Sequence, residues 1–580
     1  MSEELLKIKD LTISFSTDKG LHTVVDHLNM EVRKGQIVGI VGESGSGKTM
    51  TSLAVMGLLD KAAVVDPCSS ITLKGKEILN ISREERRKIQ GNQISMVFQE
   101  PMTSLNPVMK VGRQIGEVLR LHTDLDDEEI DRRVADILTQ IGLYDVRELM
   151  EKYPHQLSGG MRQRVMIAMA IINSPDLIIC DEPTTALDVT VQAQILRLLK
   201  KINEVTGSSI LFISHDLTVI REICQRVVVM YHGQVVESGL TEQIFLHPQK
   251  EYTRKLVASM PDTAVRNIRD DVILHLKNLC VYYDVKKGLF TSKTVRKEVI
   301  HDMTFDVHAG EIFGIVGESG CGKSTLVKAI VGLNKGCTGE FVLNDERPQM
   351  VFQDPYSSLN PAMKIGRIME EPLLLKGVRD KQERRKQVIN MLKETGLDES
   401  FMDRYPSELS GGQRQRISIG LALMRGDKFI IADEAVSALD VTIQSQILRL
   451  LLKLHDEMDL TYIFISHDLN VVRHMCNRVM VMYLGRMVEL AEVEDIYDNP
   501  AHPYTRLLFD SILTEQHKKQ SAPPTATEMD AMKTGCAFYR RCRFRTPECM
   551  QKVPELVNIG TPERPHLIRC IKRVDLQENQ

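Results

Sequence analysis

The sequence lacks any long apolar run. No stretch approaches the roughly 18 or more consecutive apolar residues that a membrane-spanning helix requires. The N-terminal segment, MSEELLKIKD, begins with acidic side chains and contains no apolar stretch of the kind that a secretory signal carries. We therefore expect the protein to stay in the cytoplasm, so that separate subunits would supply the membrane part of any membrane process it serves.

A large charge excess and a disulfide framework are absent as well. The 580 residues carry a formal net charge of −4, with 43% hydrophobic and 26% charged residues, so the global charge predicts no nucleic-acid partner. A chain of this length exceeds one hydrophobic core, which predicts several domains. Most of the 11 cysteines stand alone in apolar runs, which indicates buried thiols in a reducing compartment; examples are Cys180, Cys224, Cys280 and Cys476.

The chain is a duplication. VGESGSGKT recurs as VGESGCGKS, and further pairs follow in the same order: VFQEPMTSLNP and VFQDPYSSLNP, LSGGMRQR and LSGGQRQR, IICDE and IIADE. The second copy has a shorter middle and an insertion around KKGLFTSKTVRK. The predicted parts are a first domain (1–262, copy one), a linker (263–272), a second domain (273–515, copy two), and a segment (516–580) that holds a flexible spacer, QSAPPTATE, and a small cysteine-bearing tail.

Short β-branched runs alternate with longer amphipathic stretches in each copy. QIVGIV, LIIC and SILFIS are typical of buried strands, whereas VQAQILRLLKKINEV repeats its apolar residues at the spacing of a helix. Apolar strands that alternate with helices predict an α/β fold whose mainly parallel sheet is covered on both faces. A nucleotide site is expected at the edge of such a sheet.

Each copy contains one GxxxxGK[ST] segment. Its glycines let backbone N–H groups approach phosphate oxygens closely where the loop leads into a helix N-terminus. The lysine would reach the β- and γ-phosphates of ATP, and the following hydroxyl would bind Mg²⁺. The predicted residues are Gly42, Ser44, Gly45, Gly47, Lys48 and Thr49 in copy one, and Gly317, Ser319, Gly320, Gly322, Lys323 and Ser324 in copy two.

Two acids end an apolar strand in each copy. Asp181 and Asp433 are placed to hold Mg²⁺ through water. Glu182 and Glu434 follow directly and can polarise the attacking water as general bases. Together with the lysine segments, these acids predict ATP hydrolysis in both copies.

LSGG followed closely by RQR resembles the signature motif of the ATP-binding-cassette ATPases, and it occurs twice. The resemblance covers about residues 5 to 515 and implies two tandem P-loop NTPase domains, each with a RecA-like core, an antiparallel β part and a helical part. It also implies a head-to-tail sandwich in which each signature caps the ATP of the other copy. The capping residues would be Ser158, Gly159 and Gly160 for the ATP of Lys323, and Ser410, Gly411 and Gly412 for the ATP of Lys48.

The same resemblance implies roles for four further pairs of residues. They are Gln99 and Gln353 at the γ-phosphate and Mg²⁺, His215 and His467 as switch histidines, Phe15 and Tyr283 as adenine-stacking aromatics, and Asp188 and Asp440 in an interface loop.

Copy two departs from copy one just after the catalytic glutamate. Ala435 stands where copy one has Pro183, and proline fixes a turn, so we expect a looser loop there. Because Glu434, His467 and Lys323 are all retained, we predict two hydrolytically competent sites rather than one degenerate site.

Three kinds of segment resemble the dipeptide, oligopeptide and nickel importer subfamily. They are EPMTSLNP with DPYSSLNP, KYPHQLSGG with RYPSELSGG, and NPAHPYTRLL, although copy one reads HPQKEYTRKL at the last. The resemblance implies a peripheral protein on the cytoplasmic face of the cell membrane, bound to two transmembrane permease subunits and served by an extracytoplasmic binding protein. Residues 100–117 and 354–371 are expected to receive short permease helices.

The tail carries four cysteines, Cys536, Cys542, Cys549 and Cys570. Four thiolates can close a zinc site or ligate a [4Fe-4S] cluster, and no CxxC pair of a zinc ribbon is present. GCAFYRRC resembles the tail of the subfamily, which implies an iron–sulfur cluster; zinc and unligated thiols remain alternatives. His566 is another possible ligand, but we expect it to be a free surface histidine. Six basic residues are expected to offset the charge of a cluster: Arg540, Arg541, Arg543, Arg545, Arg569 and Lys572.

The cargo is left open by the motifs, because one fold serves importers, exporters and soluble machines. Peptides are the predicted cargo, with nickel, glutathione or another small solute as alternatives. A protein of a different class, a soluble double-cassette ATPase that works in enzyme activation or on the ribosome without a permease, is the competing hypothesis. Neighbouring permease genes would separate the two.

Overall fold

A computed structural model describes residues 3–17, 20–184, 189–257, 268–286, 294–334, 336–344, 347–436, 439, 441–510 and 534–572. Much of the predicted linker and insertion, and all of the spacer, lie outside these ranges. The chain divides into two compact units, the first built almost entirely from residues 1–259 and the second almost entirely from residues 260–580. Across the described ranges, no helix is both long and apolar enough to span a membrane.

Copy one contains eleven strands and eleven helices in its described residues. The strands are β1 (Glu4–Thr17), β2 (Gly20–Arg33), β3 (Ile37–Val41), β4 (Ala63–Val65), β5 (Ser70–Leu73), β6 (Lys76–Glu77), β7 (Ile94–Val97), β8 (Leu177–Asp181), β9 (Ser209–Ile213), β10 (Arg226–Tyr231) and β11 (Gln234–Leu240). The helices are α1 (Lys48–Met56), α2 (Arg83–Ile89), α3 (Pro101–Ser104), α4 (Val111–His122), α5 (Asp127–Gln140), α6 (Val146–Met150), α7 (Gly159–Ile171), α8 (Val189–Thr206), α9 (Leu217–Ile223), α10 (Thr241–Leu246) and α11 (Glu251–Val257).

The core of copy one is a six-stranded sheet in the order β11-β10-β3-β9-β8-β7. All neighbours are parallel except β11, which runs antiparallel to β10. Every residue of β3, β8 and β9 is buried, as their continuous apolar sequences predict for a sheet covered on both faces. The predicted parallel α/β core is therefore confirmed.

Two smaller parts flank this core. A mainly antiparallel sheet in the order β2-β1-β5-β6, with β4 on β1, forms the first part. The second part is helical: Val111, Ile115 and Leu119 of α4 recur every four residues and are buried in one cluster with Val134 and Leu138 of α5. The family resemblance implies both parts, and both are present.

Copy two repeats this plan. Its strands are β12 (Val272–Lys286), β13 (Thr294–His308), β14 (Ile312–Val316), β15 (Cys337–Leu343), β16 (Gln349–Val351), β17 (Phe429–Asp433), β18 (Thr461–Ile465), β19 (Arg478–Tyr483) and β20 (Arg486–Glu492). Its helices are α12 (Lys323–Ile330), α13 (Pro355–Ser358), α14 (Ile365–Leu375), α15 (Lys381–Glu394), α16 (Gly411–Leu423), α17 (Val441–Met458), α18 (Leu469–Met475), α19 (Val493–Asp498) and α20 (Pro503–Asp510). Within its described residues the shorter middle has no counterpart of β6 and α2.

The tail, residues 534–572, adds α21 (Glu548–Gln551), β21 (Val557–Asn558) and β22 (Leu567–Ile568). Its two strands extend the core sheet of copy two, whose order is β16-β17-β18-β14-β19-β20-β22-β21. In copy one the corresponding β11 ends its sheet and is partly exposed, whereas β20 is buried except at its ends. The tail therefore pairs with an edge strand whose counterpart in copy one has no further strand beside it among the described residues.

The four core cysteines differ in exposure. Cys180, Cys224 and Cys476 are buried, as predicted. Cys280 is partly exposed on β12, so its predicted burial is wrong. It lies in the small three-stranded sheet rather than in the doubly covered core sheet, which explains the difference.

Candidate functional site

The phosphate-binding loop of each copy connects a buried strand to a helix that starts at the lysine. Gly47 adopts φ 96° at the start of α1, a left-handed conformation that favours glycine. The Lys48 ammonium donates to the carbonyl oxygens of Gly42 and Glu43, at 2.8 Å each. Lys323 makes the same two contacts in copy two, at 2.7 Å to Gly317 and 3.2 Å to Glu318. Both lysines thus lie over their own loops, where phosphate oxygens can replace the carbonyls.

A hydroxyl and an aspartate meet beside each loop. The Thr49 hydroxyl donates to Asp181 at 3.4 Å, and Ser324 hydrogen-bonds Asp433 in copy two. Burial, followed by the neighbouring Glu182 charge, raises the pKa of Asp181 to about 6, and burial also raises the pKa of Asp433. A buried carboxylate whose charge is disfavoured fits a site that a divalent cation would stabilise. The predicted Mg²⁺ residues therefore suit that ion.

Glu182 stands at the centre of the candidate catalytic group in copy one. Its carboxylate accepts a hydrogen bond from Gln99 Nε2 at 2.8 Å and lies 3.1 Å from His215 Nδ1. Its φ of 48° is left-handed, an unusual conformation for glutamate that is typical of functional positions. Copy two reproduces the arrangement, with Glu434 (φ 49°), Gln353 at 2.7 Å and His467 at 3.5 Å.

The electrostatics of the two glutamates agree with this geometry. Burial disfavours the charged form of His215, but hydrogen bonding and attraction to Glu182 outweigh it and raise the pKa of the imidazole. His467 has a raised pKa for the same reasons. The hydrogen bond from His467 in turn lowers the pKa of Glu434, which keeps that carboxylate ionised and able to orient a water molecule.

The signature segments open a helix in each copy. Ser158 caps α7 and accepts from the Met161 amide at 3.3 Å, while Ser410 caps α16 and accepts from the Gln413 amide at 3.4 Å. A Cβ atom at Gly160 would lie 2.8 Å from Val191, and one at Gly412 would lie 2.5 Å from Ile443, so neither position has room for a side chain. At Gly159 and Gly411 a Cβ atom would meet nothing closer than 3.5 Å. The first glycine of the motif is therefore exposed, while its second glycine packs closely.

The remaining predicted nucleotide residues are less constrained. Phe15 lies on β1 opposite His22 and is partly buried. Tyr283 on β12 is 39% exposed, which leaves its ring accessible to a base. Ala435 is buried directly after Glu434, and the glutamate keeps the φ of its copy-one counterpart, so the missing proline leaves that residue's backbone unchanged. Asp188 and Asp440 lie outside the described residues.

The tail cysteines are gathered but form no preformed metal geometry. Burial, and next the nearby thiols, raise the pKa of Cys536 to about 11, and burial raises the pKa of Cys570 to about 11. Cys542 also interacts electrostatically with Cys549. Within the described part of the chain, no group of three or more histidine, cysteine, aspartate or glutamate residues is placed to hold a metal ion.

One tail prediction is wrong. His566 is not a free surface histidine: its Nε2 lies 2.6 Å from the fully buried carboxylate of Glu489. Arg541 and Arg569 are buried and bind copy two, Arg541 at Glu318 and Arg569 at the Met487 carbonyl. Sequence reasoning missed Glu318 and Glu489, because nothing in one sequence pairs a core carboxylate with a tail residue many positions away.

Comparison with known proteins identifies relatives over most of the chain. The family described as ABC transporter matches residues 25–185 and 300–437, and the one described as oligopeptide/dipeptide transporter, C-terminal region, matches residues 236–284 and 488–549. The glutathione import ATP-binding protein GsiA of Escherichia coli (strain K12) is 40% identical over 564 residues, covering 89% of this chain and 90% of that protein. GsiA of Salmonella typhimurium is also 40% identical, over 559 residues, covering 88% and 90%.

A solved structure resembles most of the chain in fold. The complex of archaeal ribosomal stalk protein aP1 and archaeal ribosome recycling factor aABCE1 contains a chain with a TM-score of 0.57, 21% identity, and coverage of 81% of this chain and 88% of that one. At this identity the likeness shows the fold alone.

Proposed function

Because the chain belongs to the ATP-binding-cassette transporter family, as a fused double ATPase of the branch with the oligopeptide/dipeptide C-terminal region, we propose that it energises an importer for di- or oligopeptides across the cytoplasmic membrane. The observation that carries the proposal is the pair of complete catalytic groups in one chain, centred on Glu182 and Glu434. If ATP hydrolysis in both copies is to drive import, each copy needs its own catalytic group.

Each residue has a proposed role in hydrolysis. Lys48 and Lys323 leave their loop carbonyls to bind the phosphates, and the loop amides orient them. Glu182 and Glu434 accept the proton of the attacking water. Mg²⁺, held by Thr49 and Gln99 with Asp181 through water, and by Ser324, Gln353 and Asp433 in copy two, would supply charge neutralisation on the phosphates.

Two parts of the proposal rest on the family resemblance. In the first, Ser158, Gly159 and Gly160 cap the ATP of Lys323, and Ser410, Gly411 and Gly412 cap the ATP of Lys48. In the second, the domains span 1–262 and 273–515. Each signature segment opens a helix, and a helix N-terminus suits a γ-phosphate, which supports the capping role.

Exposed apolar side chains beside the glutamines support permease contact. Met102 is 54% exposed and Val108 is 82% exposed, in the segment 100–117. Phe352 and Tyr356 of copy two are 43% and 48% exposed. Apolar side chains on a protein surface favour a partner that covers them. We propose that two permeases bind here, with the protein peripheral to the membrane and an extracytoplasmic binding protein delivering the cargo.

A charge at Val108 is expected to weaken assembly with the permeases. Val108→Asp places a carboxylate in an apolar contact, so copurification with coexpressed permeases should fall at least about tenfold. Val205→Asp is the matched control, since Val205 is 74% exposed but lies at the end of α8 outside the proposed contact. Equal loss with both variants, or with neither, would contradict the proposed surface.

We propose that Cys536, Cys542, Cys549 and Cys570 hold a [4Fe-4S] cluster, with zinc and unligated thiols as alternatives. Their mutual proximity supports the proposal. Protein purified without oxygen is expected to contain about four iron and four sulfide per chain, and Cys542→Ser should lose them. Stoichiometric zinc without sulfide, or no metal in protein handled this way, would contradict the cluster.

The cargo is tested by transport. Proteoliposomes that contain the chain, two permeases and the binding protein are offered labelled di- and oligopeptides, glutathione and a nickel chelate, with and without ATP. ATP-dependent peptide uptake is expected. Glutathione is the second candidate, because the relatives are named for its import. Uptake of the nickel chelate alone would contradict the peptide proposal and favour nickel as the cargo. The absence of any permease partner would favour a soluble ATPase.

A further inference from the structure

The tail docks against copy two beside its ATP site. Phe538 is 3% exposed, and its ring centroid lies 5.3 Å from that of Tyr483 and 5.5 Å from that of Tyr504. β22 pairs with β20 through Leu567 and Leu490, which joins the tail to the core sheet. The tail thus belongs to the same packed unit as the phosphate-binding loop of copy two.

One tail residue contacts that loop directly. The Arg541 guanidinium donates two hydrogen bonds to Glu318, at 2.7 Å and 2.9 Å, one to each carboxylate oxygen. The two side chains are only 1% and 6% exposed. A bidentate arginine–carboxylate pair holds a fixed orientation, and removing one partner from a buried pair leaves the other charge uncompensated.

Glu318 belongs to the loop that handles phosphate. Its carbonyl oxygen accepts from Lys323, and its amide donates to the Tyr504 hydroxyl at 2.9 Å. The Tyr504 ring packs against the tail residue Phe538. The tail therefore contacts this loop residue directly through Arg541, and indirectly through Phe538, which packs against Tyr504.

Copy one has a glutamate at the matching loop position, but its side chain is less buried. Glu43 occupies the matching position in VGESGSGKT, and its carbonyl accepts from Lys48. Glu43 is partly exposed, whereas Glu318 is 5% exposed. Solvent can screen the Glu43 carboxylate, but the Glu318 carboxylate depends on Arg541 for its compensating charge.

We propose that Arg541 is a positioning residue for the second ATP site: by orienting and neutralising Glu318, it makes the ATP affinity of copy two depend on the docked tail. Without it, a buried negative charge lies in the loop that must receive the negatively charged phosphates, and repulsion opposes binding. The first site has no such dependence. The two sites of this duplicated chain therefore differ in what controls them.

The test uses the full-length chain with one site at a time. Lys48→Ala leaves the second site for measurement, and Lys323→Ala leaves the first. The dissociation constant of a fluorescent ATP analogue is measured for each, with and without Arg541→Met. At the second site Arg541→Met is expected to raise this constant about tenfold or more. At the first site the change is expected to stay within about twofold.

Removing the negative charge of Glu318 is expected to restore the ATP affinity that Arg541→Met lowers. Arg541→Met combined with Glu318→Gln has a neutral amide in place of the carboxylate, so affinity at the second site should return to within about threefold of the parent. A purely structural role for Arg541 predicts no such recovery, because the double variant still lacks the arginine. An unchanged affinity with Arg541→Met, an equal loss at both sites, or a failed rescue would overturn the proposal.

A second variant keeps the proposal testable if Arg541→Met does not fold. Arg541→Lys keeps a positive charge beside Glu318 but cannot form the bidentate pair. We expect a smaller rise in the dissociation constant of the second site, with the first site unchanged. No change at the second site, or a matching change at the first, would contradict the inference.

Discussion

Replacing either Glu182 or Glu434 with glutamine is expected to remove at least half of the ATP hydrolysis, and replacing both to lower turnover by about 10²- to 10⁴-fold. Glutamine preserves the shape and the contacts to glutamine and histidine, but it cannot accept the proton of the attacking water. Phosphate release at saturating ATP measures the loss. Glu128→Gln, in an exposed carboxylate on α5, is the control and should leave turnover unchanged.

The prediction requires that Glu182→Gln and Glu434→Gln lower ATP hydrolysis to the same extent. Both glutamates have the same left-handed backbone and the same pair of partners, although Ala435 replaces Pro183 in copy two. If Glu434→Gln kept full activity while Glu182→Gln lost it, copy two would be a degenerate site. The missing proline would then be the first difference to restore, through Ala435→Pro.

A negative charge at either signature serine is expected to lower ATP hydrolysis by at least about tenfold while the helix remains capped. Aspartate caps a helix as well as serine does, so Ser158→Asp and Ser410→Asp should retain α7 and α16. The carboxylate would face the position proposed for the γ-phosphate, where like charges repel. Steady-state hydrolysis and thermal unfolding are measured on the same preparations.

Asparagine provides the matched control for the charge. Ser158→Asn and Ser410→Asn have nearly the same size and capping ability as the aspartate variants, but they are neutral. They are expected to retain clearly more activity than the aspartate variants. If aspartate and asparagine gave the same activity, the signature serines would not face phosphate, and only their capping role would remain.

Much of the ATP site could be predicted because its chemistry lies in short, contiguous segments. The loop from Gly42 to Thr49 follows a strand and opens a helix, as glycine spacing and the lysine indicate. Asp181 ends a wholly buried strand that starts more than a hundred residues later, and Glu182 follows directly; the apolar run of this strand alone places it in the core sheet. Each of these segments occurs again in copy two, which gave a second, independent indication of its role.

The tail could not be predicted in the same way. The sequence places Arg541 among the basic residues around a cofactor and His566 at the surface, but they pair with Glu318 and Glu489 in the core of copy two. These pairs join positions far apart in the chain, and no local period connects them. One signal was available: β20 reads RMVELAE where β11 reads QVVESGL, and the larger Leu490 in place of Ser238 fits a strand whose edge is covered.

Two complete ATP sites in one chain can be tested by counting the ATP that the chain binds. The Glu182→Gln/Glu434→Gln double variant, which should bind ATP with Mg²⁺ without hydrolysing it, allows the bound nucleotide to be counted by equilibrium dialysis with radiolabelled ATP. We predict two ATP per chain, falling to one when Lys48→Ala or Lys323→Ala is added. A count of one in the double variant, unchanged by one of the lysine substitutions, would contradict the account.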